Sequence, residues 1–193
     1  MDDNRDSPRS HQRQHDESGD ETDPALSITQ VGLAGDWTAY GPVCPMLLQL
    51  EIAIARHAEL PNRNCAAVVA FADDTEIRVL NRKFRSTDKA TNVLSFPAAV
   101  TGFTMVPPDH GAPRLALGDV ILAEETIRRE ALESRIALRD HLAHLIVHGV
   151  LHLIGHDHGT DRDADVMEQV EISILADLGI PNPYCNEIEE VAN

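Results

Sequence analysis

Cysteine is scarce in this sequence and unpaired: Cys44, Cys65 and Cys185 are the only three, and no two form a C-x-x-C pair. An odd number so widely scattered excludes a disulfide framework and leaves reduced, partly buried thiols as the expectation. Long apolar runs are missing too. No stretch offers the roughly 20 uncharged residues that a membrane span needs, and no apolar run follows the charges near Met1 as it would in a signal peptide. A soluble, intracellular (cytoplasmic) protein is therefore expected. Basic charge is also in short supply, with 16 Lys and Arg against 32 Asp and Glu and a net charge of −16. A phosphate-binding surface is normally basic, so a nucleic-acid binder made from this chain must gather its few cations into a local patch.

Residues 1–24, MDDNRDSPRSHQRQHDESGDETDP, have no aliphatic side chain beyond Met1 and no aromatic. Such a segment cannot repay the entropy of ordering and is expected to be a disordered acidic tail. Its eight acids and three arginines put −5 on the tail and leave −11 on the rest. Residues 25–193 are long enough to bury one sizeable core and are read as a single domain.

Apolar periodicity divides that domain into alternating elements. LSITQVG, around 27–32, alternates as a first strand does. In CPMLLQLEIAIARHAEL (44–60), Leu47, Leu50, Ile54 and Ala58 share one helical face. NCAAVVAFA (64–72) is continuously apolar and fits a buried strand, and DDTEIRVLNRKFR then opens on acids as a helix does. TNVLSFP (91–97) reads as a strand stopped by Pro97. AAVTGFTMVPPDHGAP reads as a loop or hairpin excursion, and RLALGDVILA (114–123) as a strand in which Gly118 marks a bulge. Three helices follow. EETIRREALESR (124–135) places its acids before its arginines, as the helix dipole favours. RDHLAHLIVHGVLHLIG (139–155) is the second, and TDRDADVMEQVEISILADLGI (160–180) opens on capping residues and ends at a glycine before Pro181. Few strands mixed with helices predict a three-layer α/β or α+β domain on a small mixed β-sheet.

The chemistry lies in HGVLHLIGHDH, residues 148–158. His148, His152, Gly155 and His158 fall where the zinc-peptidase pattern H-E-x-x-H-x-x-G-x-x-H places its three ligands and its turning glycine. Residues four apart on a helix stack one turn above another, so His148 and His152 can direct two imidazoles at one ion. Gly155 can end the helix in a left-handed conformation and bring His158 in from the other side. Three histidines leave the fourth tetrahedral position to water, as in catalytic zinc sites, and zinc lowers the pKa of that water to about 7. Three imidazoles also accept other divalent transition metals. Gly149, however, stands where the peptidases carry the glutamate that moves protons during amide cleavage. Phosphodiester cleavage depends less on such a residue and more on a cation aimed at the developing phosphorane charge. Of the neighbouring histidines, His141 and His144 are expected to pack or to support the ligands, and His156 to be a non-ligand. Asp157 fits two roles equally, orienting a ligand imidazole or solvating the turn.

LNRKFRSTDKATNVLSFP (80–97) supplies a local set of cations, Arg82, Lys83, Arg85 and Lys89. Taken singly, Arg82, Lys83 and Lys89 also suit a solvated helix C-terminus. Together with LGDVIL and HLIVHGVLHLIGHDH, this segment resembles the YbeY family of bacterial zinc-dependent endoribonucleases and ribosomal RNA maturation factors. The likeness runs from about residue 27 to about residue 180 and includes VMEQVEISIL. It implies an α/β domain with a small mixed sheet, a zinc ion held by His148, His152 and His158, and Arg85 as the arginine important for activity. It implies cleavage of single-stranded RNA, maturation of the 3′ end of small-subunit (16S) ribosomal RNA, and ribosome quality control. The expected partners are therefore ribosomal RNA and the small ribosomal subunit, with neither DNA nor a membrane among them. Two positions depart from the family pattern: Asn92 stands where aspartate is common and His156 where tyrosine is common. Neither removes a ligand, but Asn92 puts any acid or base role at that position in doubt. Ser95 and Asp119, on predicted strands, are expected to serve backbone hydrogen bonding and loop fixing rather than catalysis.

Two other readings fit parts of the sequence. One is a zinc peptidase that takes its base from elsewhere in the fold, against which Gly149 argues. The other is a non-catalytic ribosome-assembly factor whose metal fixes the His158 turn and whose acidic body meets basic ribosomal proteins. The net charge suits that second reading better than it suits binding of free RNA.

Overall fold

The computed structural model describes residues 24–101 and 114–185. The acidic tail, apart from Pro24, and most of the Pro- and Gly-rich segment after β3 lie outside the described residues. The chain runs through β1 (Leu26–Gly32), α1 (Val43–His57), β2 (Cys65–Ala72), α2 (Asp74–Arg85), β3 (Val93–Pro97), α3 (Ala98–Thr101), β4 (Leu115–Ala123), α4 (Glu124–Ser134), α5 (Leu138–Leu153) and α6 (Asp161–Asp177). The strands form one sheet in the order β1-β2-β4-β3, with β1, β2 and β4 parallel and β3 antiparallel to β4 at an edge. This is the mixed sheet expected from the alternation of elements.

Two cores flank the sheet. On one face Leu50 and Ile54 of α1, Leu142, Ile146 and Val150 of α5 and Ile174 of α6 pack with Val69, Phe71, Val120 and Leu122 of the central strands. On the other, Ile77 of α2 packs with Leu94, Phe96, Ile121 and Ala123. β2 is buried along its whole length, which is why its sequence is continuously apolar rather than alternating. Each large aliphatic side chain so buried contributes about 1.5–3 kcal/mol.

Gly118 is the bulge that the sequence suggested. The register against β2 slips there, with Ala66 opposite Ala116 and Ala67 opposite Gly118. The extra residue changes the parity of β4, so that Leu117 lies on the same face as Val120 and Leu122. At φ +134° a Cβ on residue 118 would lie 2.2 Å from the Phe96 carbonyl oxygen, so glycine is required.

Elsewhere the boundaries shift slightly. α1 stops at His57, ahead of the expected 60, because Ala58 is already extended. The segment after Pro97, expected as a loop or hairpin, begins with the short α3. A 3-10 turn at Thr38–Tyr40 has no counterpart in the expectations. All three cysteines are free, but only Cys65 is buried, so the expectation of partly buried thiols fails for Cys44 and Cys185. Among the described residues no helix is long and apolar enough to cross a membrane.

Candidate metal centre

Two of the three histidines leave α5 from the same side. His148 Nε2 and His152 Nε2 lie 3.1 Å apart. Behind them, His148 Nδ1 is 2.9 Å from Glu171 Oε1, and His152 Nδ1 is 2.9 Å from the carbonyl oxygen of His156. A carboxylate and a carbonyl only accept, so in the neutral rings both Nδ1 atoms carry the proton and donate it backwards. The two Nε2 lone pairs then face each other, a repulsive arrangement unless a cation sits between them. That donor set fits a metal ion, and the groups behind the rings are the kind that fix ligand tautomers.

The third imidazole arrives as the sequence suggested. α5 ends at Leu153, and Gly155 takes φ +102° while the His156 N–H bonds back to the Leu151 carbonyl at 3.0 Å. The turn brings the His158 ring to 5.0 Å from His152 and 5.6 Å from His148, centroid to centroid. One nitrogen from each of His148, His152 and His158 falls within 4.8 Å of the others, so the three can hold one ion. Asp157 Oδ1 accepts from the His158 backbone N–H at 2.8 Å, a contact within the turn. His156 contributes its carbonyl to His152 and its ring is not in the cluster.

Glu171 of α6 was not anticipated. It is fully buried and joins two histidines of α5, His148 through Oε1 and His144 through Oε2 at 3.0 Å. The Tyr184 hydroxyl, from the segment after α6, donates to the same Oε2. Burial pushes the Glu171 carboxyl up, but the hydrogen bonds from His144, His148 and Tyr184 outweigh it and hold the group at about 2. The carboxylate is thus ionised. Burial, and next the hydrogen bond to Glu171, raise the Tyr184 phenol, which stays protonated and donates. Burial, and then the neighbouring His148, lower the His152 imidazole, which favours the neutral form that a metal ligand needs. The sequence signal for Glu171 was a charged residue on the buried stripe of α6 formed by Met167, Ile174 and Leu175.

Gly149 has a packing reason. α5 crosses the sheet so closely that a Cβ on this residue would lie 2.5 and 2.9 Å from the two Val120 methyls and 3.2 Å from Ser95 Oγ. Ser95 ties the contact down by donating from Oγ to the Gly149 carbonyl at 3.0 Å. The three histidines open onto a cleft of about 910 Å³ along the free edge of β3, and Arg85 lines the same cleft. Arg85 donates to the Ser95 carbonyl oxygen at 3.3 Å. Arg82, Lys83 and Lys89 do not line it, and neither does Asp119, buried in β4. Asn92 does, but its amide nitrogen donates to Glu130 of α4 at 2.9 Å while its oxygen accepts from the Val93 N–H at 2.7 Å. His141 shares that Glu130 carboxylate oxygen at 3.0 Å. An aspartate at 92 would set a second carboxylate against Glu130, and the amide avoids this.

Three imidazoles on an α/β domain, facing a cleft and joined by no fourth candidate ligand among the described residues, form a candidate metal centre of the open, catalytic kind. Similarity to known proteins is more specific. The family model "Endoribonuclease YbeY" matches residues 46–179. A protein of Chelativorans sp. strain BNC1 named endoribonuclease YbeY is 44% identical over 166 residues, covering 86% of this chain and 98% of the relative. One of the same name from Bradyrhizobium diazoefficiens is 45% identical, covering 84% of this chain and 88% of the relative. The chain belongs to the endoribonuclease YbeY family. Its fold is shared with the solution structure of TM1509 from Thermotoga maritima, at a TM-score of 0.50 and 18% identity over 84% of this chain and 99% of that one.

Proposed function

We propose that this protein is a cytoplasmic, zinc-dependent endoribonuclease of one domain, residues 25–193. It cuts single-stranded RNA in maturing the 3′ end of 16S ribosomal RNA and serves ribosome quality control on the small subunit. The observation that carries this reading is the lining of one cleft by His148, His152, His158 and Arg85. The three histidines are the metal ligands, and a zinc ion bound there supplies a Lewis acid and acidified water at neutral pH.

The chain's own groups do the rest. Glu171 and the His156 carbonyl hold the His148 and His152 protons on Nδ1 and keep each Nε2 free to ligate. Arg85 carries a permanent charge on a planar fork of donors that suits phosphoryl oxygens, and it stabilises charge as it builds on them. Ser95 fixes β3 to α5 and so sets the distance between Arg85 and the histidines.

Two features weigh against a peptidase. Position 149 has no room for a side chain. Arg85 also occupies a carbonyl of the β3 edge, where an extended peptide would add as a strand. The net charge of −16 suits docking of the acidic body on basic ribosomal proteins, which would deliver RNA to the cleft.

Zinc titration tests the reading. Chelator-stripped protein is expected not to cut a labelled single-stranded RNA, and one equivalent of zinc is expected to restore cutting. Arg85→Ala should keep its zinc yet lose about 100-fold in kcat. Undiminished cutting by the stripped protein would overturn the metal's role.

A further inference from the structure

The C-terminal turn of α2 and the loop after it form a surface of which only Arg85 lines the metal cleft. Every residue from Arg82 to Lys89 is exposed. The stretch holds Arg82, Lys83, Arg85 and Lys89 against one acid, Asp88, which is itself bonded to Arg78 at 2.8 and 3.1 Å. On a chain with a net charge of −16 this is a local reversal of sign. Phe84 stands within it, 48% exposed. The ring is not loose, because it meets the buried Phe96 edge-to-face with centroids 5.1 Å apart and planes at 65°. The Lys83 ammonium lies over it, 4.8 Å from the centroid. The next residue, Arg85, lines the cleft and bonds to Ser95, the neighbour of Phe96.

Single-stranded nucleic acids are bound by aromatic faces that stack bases and by cations that track the backbone. We propose that Phe84 is a base-stacking platform for single-stranded RNA, with Lys83 and Arg82 meeting the phosphates on either side of the stacked base. The inference rests on the endoribonuclease reading and adds to it a binding subsite beside the cleft. The base takes the place of the Lys83 ammonium on the ring, and the freed ammonium moves to a phosphate. Stacking accepts any base but only one that is unpaired, so the platform selects single strands without selecting sequence. A ring that served packing alone would be replaceable by any apolar side chain that covers Phe96.

The test compares wild type, Phe84→Leu, Phe84→Trp and Lys83→Gln as full-length, zinc-loaded proteins cutting a single-stranded RNA. Binding of a fluorescent oligonucleotide is followed in parallel, with each change placed on a His148→Ala background so that the RNA stays intact. Phe84→Leu keeps an apolar contact on Phe96, so its thermal midpoint should match wild type while KM and Kd rise about tenfold and kcat holds. Phe84→Trp should bind at least as well as wild type. Lys83→Gln should reduce the slope of log affinity against log salt by about one phosphate contact. If the wild type cuts RNA and Phe84→Leu binds and cuts equally well, the platform is wrong and the endoribonuclease reading stands. If Phe84→Leu and Phe84→Trp lose binding only in step with thermal stability, Phe84 is a packing residue and the platform is again wrong. A wild type that neither binds nor cuts RNA would overturn both.

Discussion

Gly149→Glu should lose about 4 kcal/mol or more of stability and gain no proteolysis, although it recreates the peptidase motif in the sequence. The Cβ alone would sit 2.5 Å from a Val120 methyl, and Val120 is fully buried with a stiff, β-branched side chain. Overpacking of this kind costs about 1–3 kcal/mol, and a carboxylate driven into the contact adds the cost of an unpaired buried charge. Gly149→Ala isolates the first part. Its methyl should still cost about 1 kcal/mol net, after the gain of up to about 1 kcal/mol from replacing a mid-helix glycine. Denaturant midpoints for the two variants check this, and a Gly149→Glu protein as stable as wild type would show that α5 can retreat from β4.

Glu171→Ala should weaken zinc binding by about 10- to 100-fold, as loss of a carboxylate behind a ligand histidine generally does. The His148 ring would lose the acceptor that fixes its proton on Nδ1, 2.9 Å away. His144 and Tyr184 would be left without the same carboxylate, and breaking a buried charged network costs about 3 kcal/mol. Glu171→Gln should fall between, because one amide oxygen can still serve His148 while the amide nitrogen opposes the Tyr184 donor. Competition with a chromophoric chelator reads the affinity, and unfolding of the stripped protein reads the stability. The sign of the pH dependence follows from the carboxyl's folded value of about 2 against 4.5 unperturbed. The network's contribution is complete above the unperturbed value and is lost as pH falls toward 2. Stripped Glu171→Gln should lack that part of the acid transition. Equal zinc affinity in wild type and Glu171→Ala would remove Glu171 from the metal centre.

The contrast between Glu171 and the histidines shows what a sequence reveals. His148, His152 and His158 are joined by one helix and one glycine turn, so their convergence follows from local geometry. The bulge at Gly118 was legible for the same reason, from one glycine within a strand-like run. Glu171 reaches His148 across two packed helices, and Tyr184 reaches it from beyond α6, so spacing carries no trace of either contact. Glu171 left only the clue of an acid on an apolar stripe. Gly149 was visible as a missing base, but its cause, the approach of α5 to Val120, belongs to tertiary packing. The placement of β3 at an edge, which opens the cleft to Arg85, likewise depends on strand order rather than on any one segment.

Cleavage of a labelled single-stranded RNA by wild type and His148→Ala, purified side by side, tests the metal centre's part in catalysis most directly. Cutting by the wild type alone, abolished by a chelator, is the expected result. Equal cutting by both preparations, or by neither, would contradict it and would favour a non-catalytic role in ribosome assembly.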